Sequence, residues 1–323
     1  MNRSLLVALA AALLSCESVN EYTGSLPPLK LVLYSFIEAD SLVCLDVWQT
    51  RHFSDEFSAP PTNVTGEVYI NGQLAGDLRP VTSMTFGSRL RYLADARPRP
   101  GDHVRVAVRA DGLQEAQGEV TLPLESVPIR VDSTLVGRPD KIEQARYAIH
   151  INDKARERHY YRLVVETQTY DLVDDLQYSL ASAYAFNPEN DPLLIGGNHT
   201  WVNEDVVPNR YRIFTNETFE GVGYTMRVSV GARNTYRFEY QSDGHTVTQR
   251  QVMRHRVKLI RIDPDSYLHL KSLMLLELEQ GVMEPVQVHT NVRGGAGVIG
   301  YVLPSVVTFE MPETEMVEVP FGY

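Results

Sequence analysis

Cysteine is scarce in this chain, with only Cys16 and Cys44 among 323 residues. Two cysteines exclude a disulfide-rich framework, a cysteine-rich zinc site and a Cys-x-x-Cys redox motif. Cys44 lies in an apolar run, residues 42–45, where a cysteine is typically a small hydrophobic residue of the core. Because Cys16 belongs to an N-terminal leader, described below, we expect no disulfide within the chain.

Basic residues are outnumbered by acidic ones, since 30 Lys and Arg stand against 41 Asp and Glu, for a net charge of −11. A nucleic-acid-binding protein carries a basic footprint, so we predict no nucleic-acid partner. The same charge disfavours adsorption on an anionic membrane surface, so membrane attachment needs a lipid. The hydrophobic content of 43% is that of an ordinary globular protein that buries a sizeable core.

Sequence motifs of catalysis are also missing. The chain contains no Gly-x-Ser-x-Gly, Ser-x-x-Lys, His-Glu-x-x-His or EF-hand pattern. We therefore predict a protein that is not an enzyme and has no cofactor and no metal. A calcium site made by the side-chain oxygens of residues 187–191 is the minor alternative.

Three glycines, Gly295, Gly297 and Gly300, match the pattern Gly-x-Gly-x-x-Gly. A dinucleotide-binding loop needs a strand before this pattern and a helix after it. The sequence predicts a strand over residues 285–292, but residues 301–304 end in a proline and do not open a helix. We interpret the glycines as positions where a strand bends and another backbone approaches closely.

The first 16 residues have the layout of a secretory signal. Arg3 supplies the positive charge, residues 5–14 are apolar, and Ser15 precedes Cys16. This ending resembles a bacterial lipoprotein signal, in which the cysteine is lipidated and becomes the first residue of the mature chain. We expect residues 1–16 to be the signal peptide, Cys16 to carry the lipid and residues 17–28 to form a tether. A plain cleaved signal peptide is the alternative.

Alternating apolar residues and turn signals predict a mainly β protein. Val104, Val106 and Val108 alternate with polar residues, and Asn71-Gly72 is a strong hairpin signal. We predict an immunoglobulin-like β-sandwich over residues 29–124 and a second, larger antiparallel β domain over 125–312. Residues 313–323 are a predicted C-terminal tail.

One amphipathic helix is predicted near residues 264–280. Asp263 is a candidate N-cap and Pro264 occupies the first helical position. Apolar residues then recur at helical spacing, from Tyr267 to Leu278, and Gly281 follows as a C-cap. We expect this apolar stripe to pack against a sheet.

Residues 171–209 interrupt the strand pattern. An insertion of this length in a compact domain is usually functional or disordered. It carries the aromatic residues Tyr184, Phe186 and Trp201, which we predict to form a partner-binding loop. Packing of these aromatics within the loop itself is the alternative.

Several segments, in this order along the chain, resemble one family of Gram-negative surface lipoproteins, domain of unknown function 4249. The terminal segment is the most specific, although Arg293 stands where the family usually has an acidic residue. The resemblance implies a lipoprotein that is often encoded beside a TonB-dependent outer-membrane receptor. The segments are residues 30–37, 42–46, 64–70, 100–106, 120–123, 150–153, 160–163, 214–221, 265–268 and 291–300.

Together these features predict a non-enzymatic lipoprotein of the cell envelope. We expect an outer-membrane lipoprotein, facing the periplasm or the cell surface, that acts as an accessory or binding component of a TonB-dependent uptake system. A structural or adhesive surface protein is the first alternative. A hydrolase acting on envelope or glycan polymers is the second.

Overall fold

The computed structural model describes residues 26–52, 60–81, 90–153, 157–195, 201–202, 205–206, 209–242, 244–276 and 287–315. The predicted signal peptide, Cys16 and tether residues 17–25 lie outside these ranges. No helix in these ranges is long and apolar enough to cross a membrane. The predicted fold class is confirmed, because the chain is mainly β and its sheets are largely antiparallel.

Twenty-one strands and two helices make up the described part of the chain. The first strands are β1 (Leu31–Ile37), β2 (Val43–Gln49), β3 (Thr65–Ile70), β4 (Gln73–Asp77), β5 (Arg79–Val81), β6 (Leu90–Ala94), β7 (His103–Arg109) and β8 (Ala116–Thr121). The next are β9 (Ile129–Arg138), β10 (Lys141–Ile151), β11 (Tyr160–Val173), β12 (Leu176–Gln177), β13 (Ala181–Ala183), β14 (Trp201–Val202), β15 (Asp205–Val206) and β16 (Ile213–Thr215). The last are β17 (Tyr224–Gly231), β18 (Thr235–Ser242), β19 (His245–Ile262), β20 (Ala296–Glu310) and β21 (Glu313–Glu315). The helices are α1 (Pro192–Ile195) and α2 (Pro264–Leu276).

One long sheet runs through the molecule in the order β12-β11-β19-β20-β1-β2-β6-β5. Its central strand, β20, changes partner part-way along. Up to Tyr301 it pairs in parallel with β1, and from Val302 it pairs antiparallel with β19. A single strand therefore joins the N-terminal and C-terminal parts of the chain.

Two smaller sheets pack on the long sheet, and each encloses its own core. The sheet β4-β3-β7-β8 covers β1, β2 and β6, and the sheet β17-β10-β9 covers β11 and β19. The alternation predicted for β7 is confirmed, since Val104, Val106 and Val108 are fully buried. Asn71 and Gly72 both have positive φ in the turn between β3 and β4, as the hairpin signal predicted.

Strand β20 contributes to both cores. Ile299 and Tyr301 belong to the first core, and Phe309 packs against the second. These residues are an even number of positions apart, so both smaller sheets lie on the same face of the long sheet. The buried residues of the first core precede the predicted boundary near residue 124, except for Val292, Ile299 and Tyr301, which come from the predicted 125–312 domain.

Helix α2 lies on the opposite face of the long sheet, against β11, β19 and β20. Asp263 caps it as predicted, with Ser266 N donating to Asp263 Oδ1 at 2.9 Å. The helix is described to Leu276, so the predicted end near residue 280 and Gly281 lie outside the described residues. Its buried face contains the expected Tyr267 and also polar residues such as His269, so the stripe is less apolar than predicted.

The glycine-rich segment has the structural role that was expected of it. Gly297 has φ +100 and lies against the backbone of Leu33, where a Cβ would collide with the Leu33 carbonyl oxygen. Residues after Gly300 continue as strand. The predicted strand over 285–292 is wrong for residues 287–292, because Asn291 instead bonds the backbone of Ile299 through Nδ2 and Oδ1.

The predicted C-terminal tail begins with a strand. Residues 313–315 form β21, which pairs in parallel with β18. The pairing follows from the turn after β20, where Thr235 N donates to the Pro312 carbonyl. Residues 316–323 are outside the described part of the chain.

Candidate functional site

A notch in the edge of the long sheet is the candidate site. One edge of β11 pairs with β19 along its whole length. The other edge pairs with β16 from Tyr160 to Arg162 and with β13 from Thr167 to Thr169. The gap between β16 and β13 opens a cavity of about 270 Å³, which we call the edge notch. The arginine and aromatic residues of its lining are Arg162, Tyr184, Phe186, Arg210, Tyr211 and Arg212.

The predicted interruption at residues 171–209 contributes described residues to one wall of the notch. Strand β11 continues to Val173, turns into β12, and returns as β13 along its own edge. This return places Tyr184 and Phe186 in the lining of the notch. The predicted loop residues Tyr184 and Phe186 are thus brought together, whereas the side chain of Trp201 lies outside the described residues.

The two aromatic residues differ in exposure. Tyr184 is 65% exposed, while Phe186 packs partly against the second core. Phe186 therefore has a packing role, as the alternative expected, whereas most of the Tyr184 side chain is open to solvent. That either residue contacts a partner stays a prediction.

The opposite wall is a tight turn held by Asn209, which is buried. Asn209 Oδ1 accepts from Ile213 N at 3.0 Å, and Asn209 Nδ2 donates to the Ile213 carbonyl at 2.7 Å. The turn presents Arg210, Tyr211 and Arg212 to the notch. Arg212 has φ +54, a conformation that is unfavourable for a residue with a Cβ and that persists only where surrounding bonds enforce it.

Two of the three arginines are partly withdrawn from water. Burial lowers the pKa of Arg162 and also that of Arg212. Arg212 Nη1 donates to the Leu194 carbonyl at 3.1 Å, and its guanidinium lies 5.3 Å from the ring centre of Phe186. Arg162 Nε is buried and has no hydrogen-bond partner within the described chain.

The notch has a positive lining in a negatively charged protein. Among the described residues of its lining, none is a carboxylate. One lining residue, Tyr184, donates a long 3.4 Å hydrogen bond to Glu166, which is buried and pairs with Lys258 and Arg256. Although burial alone raises the pKa of Glu166, the contact with Lys258 brings it below its usual value. Glu166 is thus neutralised by other cations.

A second polar cluster lies on the core face of the sheet, and sequence reasoning missed it. We call it the Asp153 network. Asp153 Oδ2 accepts from the Tyr161 hydroxyl at 2.8 Å and from Asn216 Nδ2 at 2.9 Å. His159 Nδ1 lies 3.1 Å from the same oxygen. The side chains of Asp153, His159 and Asn216 are almost completely buried.

The Asp153 network brings together three of the segments that carry the family resemblance, residues 150–153, 160–163 and 214–221. Its groups satisfy one another, and Asn216 also accepts from His159 N at 2.9 Å. A buried, mutually bonded set of this kind fixes the joint between segments. The network thus has a structural role, whereas the edge notch is a cavity open to solvent.

The residues suggested for calcium serve the local fold. Asp191 Oδ1 accepts from Leu193 N at 3.0 Å at the start of α1, and the Tyr224 hydroxyl donates to Asp191. Asn187 forms a two-way backbone bridge with Ser229. Across the described ranges, no group of three or more His, Cys, Asp or Glu side chains could hold a metal ion.

Comparison with protein families assigns the chain to one of them. A family model described as "Domain of unknown function (DUF4249)" matches residues 19–308. Among curated proteins, none matches the chain. The matched region includes every residue of the edge notch and of the Asp153 network.

Proposed function

The chain belongs to the family domain of unknown function 4249, and from that premise we propose that it is a membrane-anchored binding lipoprotein without catalytic activity. It is held in the outer membrane by lipid on Cys16 and acts as a binding component of a TonB-dependent uptake system. The observation that carries the proposal is the edge notch, where an inserted segment places exposed Tyr184 beside three arginines.

The architecture supports a binding role on physical grounds. Sites carried on loops over a rigid β scaffold are common in binding proteins. The rigid part here is β11, which is paired with β19 along its whole length. The segments that this strand carries are the returning segment with Tyr184 and the turn held by Asn209. Lipid attachment supplies the membrane affinity that a net charge of −11 cannot.

Replacing the lipidated cysteine tests the anchor. Cys16→Ala is expected to leave the precursor unprocessed or to release the protein from the membrane, because no acyl chain can be attached. The measurement is incorporation of labelled fatty acid together with fractionation of membranes. Cys44→Ala is the matched control, and it should stay labelled and membrane-bound. An acyl-labelled, membrane-bound Cys16→Ala protein would contradict the proposal.

Co-purification tests the binding role. The full lipoprotein, extracted in detergent, is expected to recover the TonB-dependent receptor encoded beside it. Tyr184→Ala should reduce receptor recovery about tenfold, since exposed tyrosines are frequent anchors of interfaces. Tyr240→Ala, an exposed tyrosine on β18 at 42% exposure, is the control and should recover as much receptor as the unmodified protein.

A co-purification result and an adhesion result would count against the proposal. Recovery of the lipoprotein alone would reject the uptake system as its setting. If cells lacking the protein then fail to adhere to surfaces, the structural or adhesive alternative takes its place.

A further inference from the structure

We propose that the edge notch binds a small organic anion, with its carboxylate groups on the arginines and its planar apolar part against Phe186 and Tyr184. The inference rests on the proposed binding role and names the class of ligand for that same site. Three observations on the notch lead to it: the charge of its lining, the fixed geometry of its turn and its size.

The charge of the described lining is positive, in a protein with a net charge of −11. Many arginines on the sheets are paired with carboxylates. The pairs on the strands include Arg91–Asp46, Arg109–Glu115, Arg250–Glu313 and Arg254–Glu310. Arg162 lies on a strand as well, yet among the residues described it has no carboxylate partner and its Nε is unbonded. A desolvated cation without a partner is costly, which is the state that a bound anion would relieve.

The turn that carries the other two arginines is prepared before any ligand arrives. The two bonds from Asn209 to Ile213 close it, and Leu163 N donates to the Arg212 carbonyl at 3.0 Å. Arg212 is kept in a left-handed conformation by these bonds. The Arg212 guanidinium is itself held by its bond to the Leu194 carbonyl, so it loses little freedom on binding, which favours affinity.

The size and walls of the notch select the ligand. A volume of about 270 Å³ accommodates a small molecule and no folded protein segment. Guanidinium groups recognise carboxylates by paired hydrogen bonds, and the aromatic side chains offer flat apolar surfaces. An anion that is both planar and carboxylated uses both features. Inorganic phosphate would use only the charge.

Calorimetric titration of the full lipoprotein in detergent tests the inference with three probes. Trimesate, a planar tricarboxylate, is expected to bind. Inorganic phosphate has charge without a planar part, and benzamide has a planar part without charge, so both should bind at least about tenfold more weakly. Phosphate binding as tightly as trimesate would overturn the planar class, and no trimesate binding would overturn the site.

Two variants place the binding in the notch. Arg162→Met should weaken trimesate binding about tenfold or more. Arg210→Gln, at an exposed position, should also weaken it. Arg138→Gln is the control, because it removes the same charge from an exposed arginine on β9. Unchanged affinity in both notch variants would contradict the inference.

Thermal unfolding of Arg162→Met separates a binding role from a structural one. Because the variant removes a desolvated, unpaired charge, its melting temperature should equal or exceed that of the unmodified protein. A lower melting temperature would indicate that Arg162 serves the fold. Receptor co-purification by the unmodified protein remains a separate readout: if it succeeds while trimesate fails, the ligand class is rejected and the proposed function stands.

Discussion

Gly297→Ala is expected to lower the free energy of unfolding by about 3–5 kcal/mol. The residue has φ +100, and a Cβ there would collide with the carbonyl oxygen of Leu33 on the neighbouring strand. Alanine therefore has to change its backbone conformation and push β1 away from β20. Because whole domains are stable by only about 5–15 kcal/mol, the variant should be largely unfolded under mild denaturation. Urea unfolding followed by circular dichroism measures the loss.

The control for this prediction separates backbone strain from close approach. Gly112 also has positive φ, at +72, but no atom of the described ranges lies within 4 Å of the position of its Cβ. Gly112→Ala should therefore cost only about 1 kcal/mol, the price of the conformation alone. Equal losses in the two variants would show that the contact with Leu33 has no part in the stability of the sheet.

Asn216→Asp is expected to destabilise the protein by about 3–5 kcal/mol at pH 8. The substitution keeps the shape of the side chain but removes the Nδ2 donor that bonds Asp153 Oδ2 at 2.9 Å and the Glu157 carbonyl at 2.9 Å. A second carboxylate would then face Asp153 in a site that excludes water. Asn152→Asp adds the same charge at an exposed neighbouring position and should change the stability by less than about 0.5 kcal/mol.

The loss in Asn216→Asp should depend on pH with a definite sign. Burial and the facing carboxylate raise the pKa of the new carboxyl in the folded state above its unfolded value. The folded state therefore binds the proton more tightly, so stability relative to the unmodified protein should recover as pH falls from 8 toward 5. Melting temperatures of both proteins across this range provide the measurement. A difference that does not vary with pH would contradict the electrostatic explanation.

Features encoded by neighbouring residues were predictable from the sequence. The alternation of Val104, Val106 and Val108 identified β7, and the pair Asn71-Gly72 identified a hairpin. These signals depend only on the two-residue period of a strand and on turn conformations. The prediction of Asp263 as the N-cap of α2 likewise depended only on neighbouring residues.

A bending strand was expected at the glycines of β20, but the length of this strand and its central place in the sheet were not predicted, because its own sequence argues against them. It contains Gly297, Gly300 and Pro304, which are unfavourable in a central strand. In the structure these residues are accommodated by their surroundings: Gly300 faces Asp263 and Ser266, and Pro304 lies past the residues that pair with β1. Such compensation is tertiary and leaves no local pattern.

The candidate site was only partly predictable, because the fold rather than a local sequence pattern brings its residues together. Tyr184 and Phe186 stood out as aromatics in an insertion, whereas the arginines did not. Arg210 and Arg212 flank one tyrosine in an acidic chain, and that local cluster of positive charge is the signal that could have found them. The Asp153 network offered no comparable signal, because Asn216 and Asp153 meet only through the fold.

The change of partner along β20 also determines when the protein can finish folding. β1 finds its parallel neighbour only after almost the whole described chain has been made, since Val32 pairs with Ala296. Contacts so distant in sequence form slowly. A nascent chain therefore holds an incomplete first core until β20 has been made. For the same reason, a chaperone that shields the waiting edge of β1 would protect it from pairing with another molecule.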